Sequence, residues 1–315
     1  MVRGSSSAFD MTFRSHQLTA FQVPRLTLCL AMLLLAIGLS ACVPRQLLVN
    51  SAADALTAQG QSEEEDLGLA REASAFYLKL SESLLRQTPG HLPLAESVAS
   101  GLTQYAYAFV AFEAERLGAT DNRAAHQLND RARRLYLRAH KHAMAALVKT
   151  SPGFDKALRQ TNPQQWPAVR PDQVGVAYWA AASWGAYIAL STDEPDAVAD
   201  LPLAVRLATL AYQRAPGHGA GALASLMGNF EAARPGGSVA KATAYFDEAI
   251  ALAAGQQAGP LVAKAEAIAQ AAGDRVAFEA LLRQALAASA QRYDLANQVM
   301  RLRAQWLLDS ADDLF

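Results

Sequence analysis

Apolar residues along this chain recur at intervals of three and four rather than two, and proline, glycine and acidic residues cut the pattern into segments. Leu67, Ala70, Ala73, Tyr77, Leu80 and Leu84 form one helical face, which stops at Thr88-Pro89-Gly90. Ser62 stands three residues before Glu65, a capping-box spacing, and Glu63 to Asp66 put negative charge at that helix's start. A second helical pattern fills Leu92 to Leu117, with Tyr105, Phe109 and Phe112 on one stripe. A third runs from the Asp121-Asn122 cap to about Val148, with Arg131, Arg133, Arg134, Arg138 and Lys141 largely on its wet side. Three prolines between Asn162 and Pro171 each push the preceding residue out of the α region, so this stretch is irregular. Val174 to Leu190, with Tyr178, Trp179, Trp184 and Tyr187, is hydrophobic nearly all round, which predicts a helix covered on both faces. Further helices fit Pro202 to Ala215, Gly221 to Ala233, Val239 to Ala253, Leu261 to Ala272, Val276 to Ala290 and Asp294 to Leu314. No window alternates with a period of two, and the fold class is all-α.

Helices joined by short turns predict antiparallel pairs and call for a search for repeats. Ala204, Ala208, Ala211 and Pro216 fit the intervals of the second helix of the tetratricopeptide pattern, and Ala242, Phe246 and Ala249 fit the first three. Small residues let the partner helix approach while a large one fills the groove. The expected architecture is an irregular TPR-like α-solenoid or bundle, whose concave face would bind a peptide or protein.

Ahead of this body lie a cationic stretch with Arg14 and Arg25, an apolar run from Leu26 to Leu39, and then Ser40-Ala41-Cys42. The run is short of the roughly 20 residues of a spanning helix and suits a signal peptide. Leu39-Ser40-Ala41-Cys42 resembles the lipobox of bacterial lipoproteins, in which the thiol takes a diacylglycerol, the chain is cut before it and the new amine is acylated. The resemblance implies a leader over 1–41, covalent lipid on Cys42, a weakly structured tether over 42–61 and a helical domain over 62–315. Val43 after the cysteine leans toward the outer membrane, facing the periplasm. Met1 and Met11 are both candidate starts.

The leader takes three of the 28 Lys and Arg and one of the 29 Asp and Glu, leaving 25 against 28. A net charge of −3 offers no basic excess to neutralise phosphates, which argues against nucleic acid. Of the two cysteines, Cys29 leaves with the leader and lipid caps Cys42, so the body is held by its apolar core without a disulfide. His140 and His142 stand two apart on a helix and diverge, wrong for a shared metal. His91 and His218 follow Pro-Gly pairs in equivalent turns. There is no His-Glu-x-x-His, no phosphate-cradling glycine loop and no Gly-x-Ser-x-Gly elbow, and no catalytic residue or cofactor besides the lipid is expected. Tyr105, Phe109, Trp179, Trp184 and Tyr187 either line an apolar cavity or conduit or, as aromatic stripes at helical spacing mostly do, form ordinary core.

Three stretches carry a further resemblance: Trp179 to Ile188; Asp193-Glu194-Pro195 followed by Ala199-Asp200-Leu201-Pro202; and Ala296-Asn297 through Arg303-Ala304-Gln305-Trp306 to Asp312-Asp313-Leu314-Phe315. Over roughly Ser74 to Phe315 the chain resembles the T-component (TatT) family of TRAP-transporter-associated lipoproteins. The resemblance implies a homotrimer, docking of the periplasmic solute-binding P-component of a tripartite ATP-independent transport system, and hydrophobic cavities or pores for a hydrophobic or organic-acid ligand. Gly217 to Ala222 is glycine- and alanine-rich where the family leads one to expect larger aromatic residues, so no ligand contact carries over to that turn. The alternative function is a TPR-like lipoprotein scaffold for outer-membrane or cell-wall complexes; an enzyme would need an acid–base group in a pocket.

Overall fold

The segments marked by the three-four pattern are helices and the punctuation between them is turns; the computed structural model describes residues 51–57, 66–290 and 294–315. Among these residues there is no strand, and no helix is long and apolar enough to cross a membrane. Residues 51–57 form α1. Then follow α2 (Leu67–Leu85), α3 (Leu92–Ala106), a π-helical turn (Tyr107–Ala111) and α4 (Phe112–Leu117). Next come α5 (Asn122–Thr150), α6 (Phe154–Leu158), α7 (Val174–Ala189), α8 (Pro195–Ala199) and α9 (Leu201–Arg214). The remainder is α10 (Ala222–Ala233), α11 (Val239–Ala253), α12 (Gly259–Lys264) with a second π-helical turn (Ala265–Gln270), α13 (Arg275–Ser289), α14 (Leu295–Asp309) and α15 (Ala311–Leu314).

Local chemistry sets the helix starts. Asp66, Asp121, Ser238, Asp274 and Asp294 each accept a backbone N–H in the first turn of the helix they cap, and His91 Nδ1 does the same for Leu94. Prolines open α3, α8, α9 and α12, where a missing N–H costs nothing. The Ser62 to Glu65 capping box lies outside the described residues, and the helix it was to open starts at Leu67 with Asp66 as cap.

Successive helices pack pairwise, α2 on α3, α3 on α5, α5 on α7, α7 on α9, α9 on α10, α10 on α11 and so on to α13 on α14. Ala204, Ala208 and Ala211, and Ala242, Phe246 and Ala249, are wholly buried, so the repeat-like intervals mark packing positions. Close approach is set by glycine against a large side chain: a Cβ at Gly101 would meet Leu78 at 2.7 Å, at Gly185 the Phe230 ring at 2.7 Å, and at Gly228 the Phe246 ring at 2.8 Å. As its sequence demands, α7 is covered all round, with no exposed residue from Gln173 to Ile188. The glycine-rich turn before α10 has a packing cause too. Gly219, Ala220 and Gly221 are left-handed, and a Cβ at Gly221 would sit 2.5 Å from the Ala249 carbonyl of α11.

Two apolar cores result. One runs from α1 to α10, the other from Ala258 through α13 to Leu307 of α14, and α11 faces both, giving Tyr245 to the first and Ile250 to the second.

Two elements depart from the sequence reading. Within the stretch read as a weakly structured tether, α1 is helical and docked: Ala53 is wholly buried, the Tyr77 hydroxyl donates to the Leu56 carbonyl, and Asp54 lies 3.1 Å from His91 Nε2. The buried face of α2 is also rotated from the expected stripe. Ala70, Leu78, Ser81, Glu82 and Leu85 face inward, while Ala73 and Leu80 are exposed. The reason is a polar inward group: Glu82, 1% exposed, accepts two hydrogen bonds from the Arg138 guanidinium and lies 2.8 Å from the imidazole Nε2 of His142, both from α5. Burial raises the Glu82 pKa, and the bonds from His142 and Arg138 outweigh it, leaving the carboxyl below its ordinary range. Arg138, read as a wet-face residue, keeps 42% of its side chain exposed while its guanidinium reaches in to the buried carboxylate.

Candidate functional site

Arg303 on α14 is the centre of a region where the last long helix meets α4 across 188 positions of sequence. Its side chain is 8% exposed, and its guanidinium donates to both carboxylates that flank it: to Glu115 of α4 at 2.6 and 3.1 Å, and to Glu266 at 3.0 and 2.5 Å. Glu266 belongs to the second π-helical turn, and Tyr107 of the first has its ring centre 5.8 Å from the same guanidinium, with Phe112 at 5.4 Å. A π turn inserts an extra residue and re-aims the side chains beyond it, and such turns gather at functional sites. Here two of them aim at one cation. Burial would lower the Arg303 pKa; the bonds from Glu266 and Glu115 reverse that, and the guanidinium is locked charged. The Tyr107 and Tyr136 hydroxyls are pushed up by burial and stay protonated.

Beside this ion cluster lies a cleft of about 230 Å³ between the first turn of α2, the π turn with α4, and α14. Its wall is apolar, with Leu67, Phe109, Phe112, Val299 and Leu302, and Arg71, Glu113 and Arg116 stand at its rim, Arg116 3.4 Å from Glu113. The volume sits just below the roughly 300 Å³ at which small-ligand pockets begin, so it suits a short apolar body with one charged end. Asn297 fixes the start of α14 by accepting from Ala258 N–H at 3.0 Å and donating to the Gln256 carbonyl at 2.9 Å.

The five aromatic residues singled out in the sequence occupy different places. Tyr105 and Phe109 meet edge to face at 5.4 Å, both buried, and the Tyr105 hydroxyl accepts from Arg131 at 3.4 Å. Phe109 is the one of the five that lines the cleft. Trp184 is 4% exposed and lies on the His140 ring at 4.3 Å. Burial pushes His140 down to about 4, and its neutral ring donates through Nδ1 to the Ala180 carbonyl. Trp179 packs half-buried on Tyr178, which in turn meets His218. Tyr187 donates to Glu194, itself paired with Arg133, at the α7–α8 turn. Cys42 lies outside the described residues. Among the described residues no cluster of His, Cys, Asp and Glu has the makings of a metal site.

The ion cluster was not read from the sequence. Arg303 stands inside the C-terminal run quoted for the resemblance, but nothing local marks Glu115, 188 positions away, as its partner. A buried arginine between Leu302 and Ala304 on an amphipathic helix was the signal available.

Helices packed neighbour on neighbour, with the last long one meeting α4 at Arg303 and Glu115, define an all-helical protein of paired helices. The chain belongs to the TRAP transporter T-component family, whose model matches residues 63–315. An uncharacterized protein of Treponema pallidum (strain Nichols) is 30% identical over 269 residues, 81% of this chain and 82% of its own length. Membership carries an accessory role in TRAP transport and association with components of that system.

Proposed function

We propose that this protein is a lipoprotein of the outer membrane, facing the periplasm, that docks the solute-binding P-component of a TRAP-type system as a homotrimer. The observation that carries the reading is the family match over the whole folded body, residues 63–315. The lipobox-like Leu39-Ser40-Ala41-Cys42 supports anchoring by diacylglycerol and an N-acyl chain, two or more chains being what stable anchoring needs. The junction cleft supports ligand handling: its apolar wall and the Arg71 and Arg116 rim suit an organic acid with a short apolar body. The docked P-component would then present its ligand at the cleft mouth. The reading assigns this protein an accessory role in transport and no catalytic one.

The test is capture from periplasmic extract with the detergent-solubilised full-length lipoprotein as bait, with mass spectrometry of the captured proteins and light scattering of the bait. A TRAP-type solute-binding protein on a bait of three protomers is the expected result. Capture of barrel-assembly or cell-wall proteins on a monomeric bait would replace this reading by a scaffold.

A further inference from the structure

The helix α2 carries a second apolar face that nothing among the described residues covers. Leu69, Ala73, Phe76 and Leu80 stand at i, i+4, i+7 and i+11, a single stripe, and they are exposed, Phe76 at 74% and Leu69 at 52%. The stripe lies opposite the face with Leu78 and Leu85 that enters the core, so α2 is sandwiched between the core and whatever meets its outer side. A stripe of this kind on one long helix is more than a scatter of single exposed apolar residues.

Chain geometry says what meets it. The helix α1 is clamped along the flank of the stripe, the Tyr77 hydroxyl holding the Leu56 carbonyl and His91 holding Asp54. Only Val43 to Asn50, eight residues, separate the start of α1 at Ser51 from Cys42. Nine peptide steps reach at most about 30 Å. A lipid on Cys42 therefore keeps its bilayer within that distance of α1, which is itself held by Tyr77, the neighbour of Phe76 on α2. At so short a tether the effective concentration of the bilayer surface at α2 is high, and weak apolar contacts suffice to hold it. At the stripe's edge Lys79 is 68% exposed with its ammonium 3.5 Å from Glu82, and Glu72 is exposed on the same edge, so the face is not strongly cationic.

We propose that the outer face of α2 rests on the lipid leaflet entered by the Cys42 anchor, with Leu69, Phe76 and Leu80 in the headgroup–acyl boundary. The proposal rests on the lipoprotein reading above. It would fix the orientation of the body on the membrane, where a flexible tether would leave it free to tumble.

The full-length lipoprotein tests it directly. Because the lipid consumes Cys42 and Cys29 leaves with the leader, a cysteine placed in the body is its one free thiol. Ala73→Cys on the stripe and Val276→Cys, 81% exposed on α13, would each carry an environment-sensitive fluorophore. Both are reconstituted into phosphatidylethanolamine–phosphatidylglycerol vesicles with and without brominated acyl chains. The expected result is flotation of both variants, with a blue shift and bromolipid quenching at position 73 and neither at 276. In the Ala73→Cys background, Phe76→Asp with Leu80→Asp should abolish the quenching while flotation persists. Flotation with no quenching at 73 overturns the docking and leaves the anchor standing. A blue shift at 73 that is indifferent to bromolipid and grows with protein concentration overturns it in favour of a second copy on this face. Failure of the wild type to float removes the anchor, and the docking with it.

Discussion

The two apolar cores of this protein are built by different means. The core from α1 to α10 is closed by apolar fit: glycine meets Leu78, Phe230 or Phe246 at one helix contact after another, and alanines fill the intervals. The core of α12 to α14 is smaller, with Arg303–Glu266 and Asn297–Ala258 as polar ties inside it; it meets α4 through the Arg303–Glu115 ion pair and the edge-to-face contact of Phe112 with Trp306 at 5.7 Å. Stacking extends a helical array from neighbour to neighbour; at the junction, where the cleft opens, the last long helix is returned to the early ones by one buried cation, Arg303, held by Glu115, beside the Phe112–Trp306 contact. The junction thus adds a directional ion pair to the close packing that builds the larger core.

The sharpest way to break that contrast is to remove the central cation. Arg303→Ala leaves Glu115 and Glu266 facing each other without a counter-charge and should cost about 3 kcal/mol in urea unfolding, by the usual cost of stripping one member from a buried ion pair. Replacing the set by Arg303→Met with Glu115→Gln and Glu266→Gln should recover most of it. A loss near zero for Arg303→Ala would mean that apolar packing alone joins the two cores.

Within the larger core, Gly185→Ala and Gly228→Ala push a methyl into Phe230 and Phe246 and should each cost about 1–3 kcal/mol as overpacking. Phe230→Leu should relieve the first selectively. An equal penalty with and without that relief would show that the glycines serve the backbone rather than the contact.

Acid should weaken the larger core through two groups. Glu82 has a folded pKa below its ordinary 4.5, so its contribution is complete above that value and is lost as pH falls below it. His140, lowered to about 4, binds fewer protons folded than unfolded between its ordinary 6.5 and that value, so stability also drops as pH falls through this window. Urea midpoints measured from pH 7.5 to 4 should fall, and Glu82→Gln should start lower and lose less below pH 5. A wild-type midpoint that is flat over this range would contradict both assignments.

Phe76→Ser on the outer face of α2 should change stability by no more than about 0.5 kcal/mol, as exposed substitutions do. A larger loss in the detergent-solubilised protein would mean that the stripe is structural.

Much of this fold was legible from the chain. Periodicity located the helices because each buries one stripe, and α7 announced its full burial by having no polar face. The intervals at Ala204 and Ala242 marked packing positions because close helix contact needs small residues wherever the array repeats. What was hidden depends on distant partners. The inward face of α2 was misplaced because Glu82, a charged residue that periodicity assigns to solvent, is buried by Arg138 and His142 from α5. The π turns at Tyr107 and Ala265 have no sequence signature, since an extra residue in a helical turn is a tertiary accommodation. For the site, aromatic spacing led to Phe109, whereas Trp184 and Tyr187 share its composition but have partners of their own in His140 and Glu194.

On the function proposed above, the solute-binding protein meets this molecule at the junction between the cores. Deuterium exchange of the full-length lipoprotein, alone and with the ligand-loaded solute-binding protein of its own system, tests it most directly. Exchange should slow in Tyr107–Leu117, in the first turn of α2 and along α14, with α5 and α7 unchanged. Protection confined to other helices, or none on addition of that protein, would contradict it.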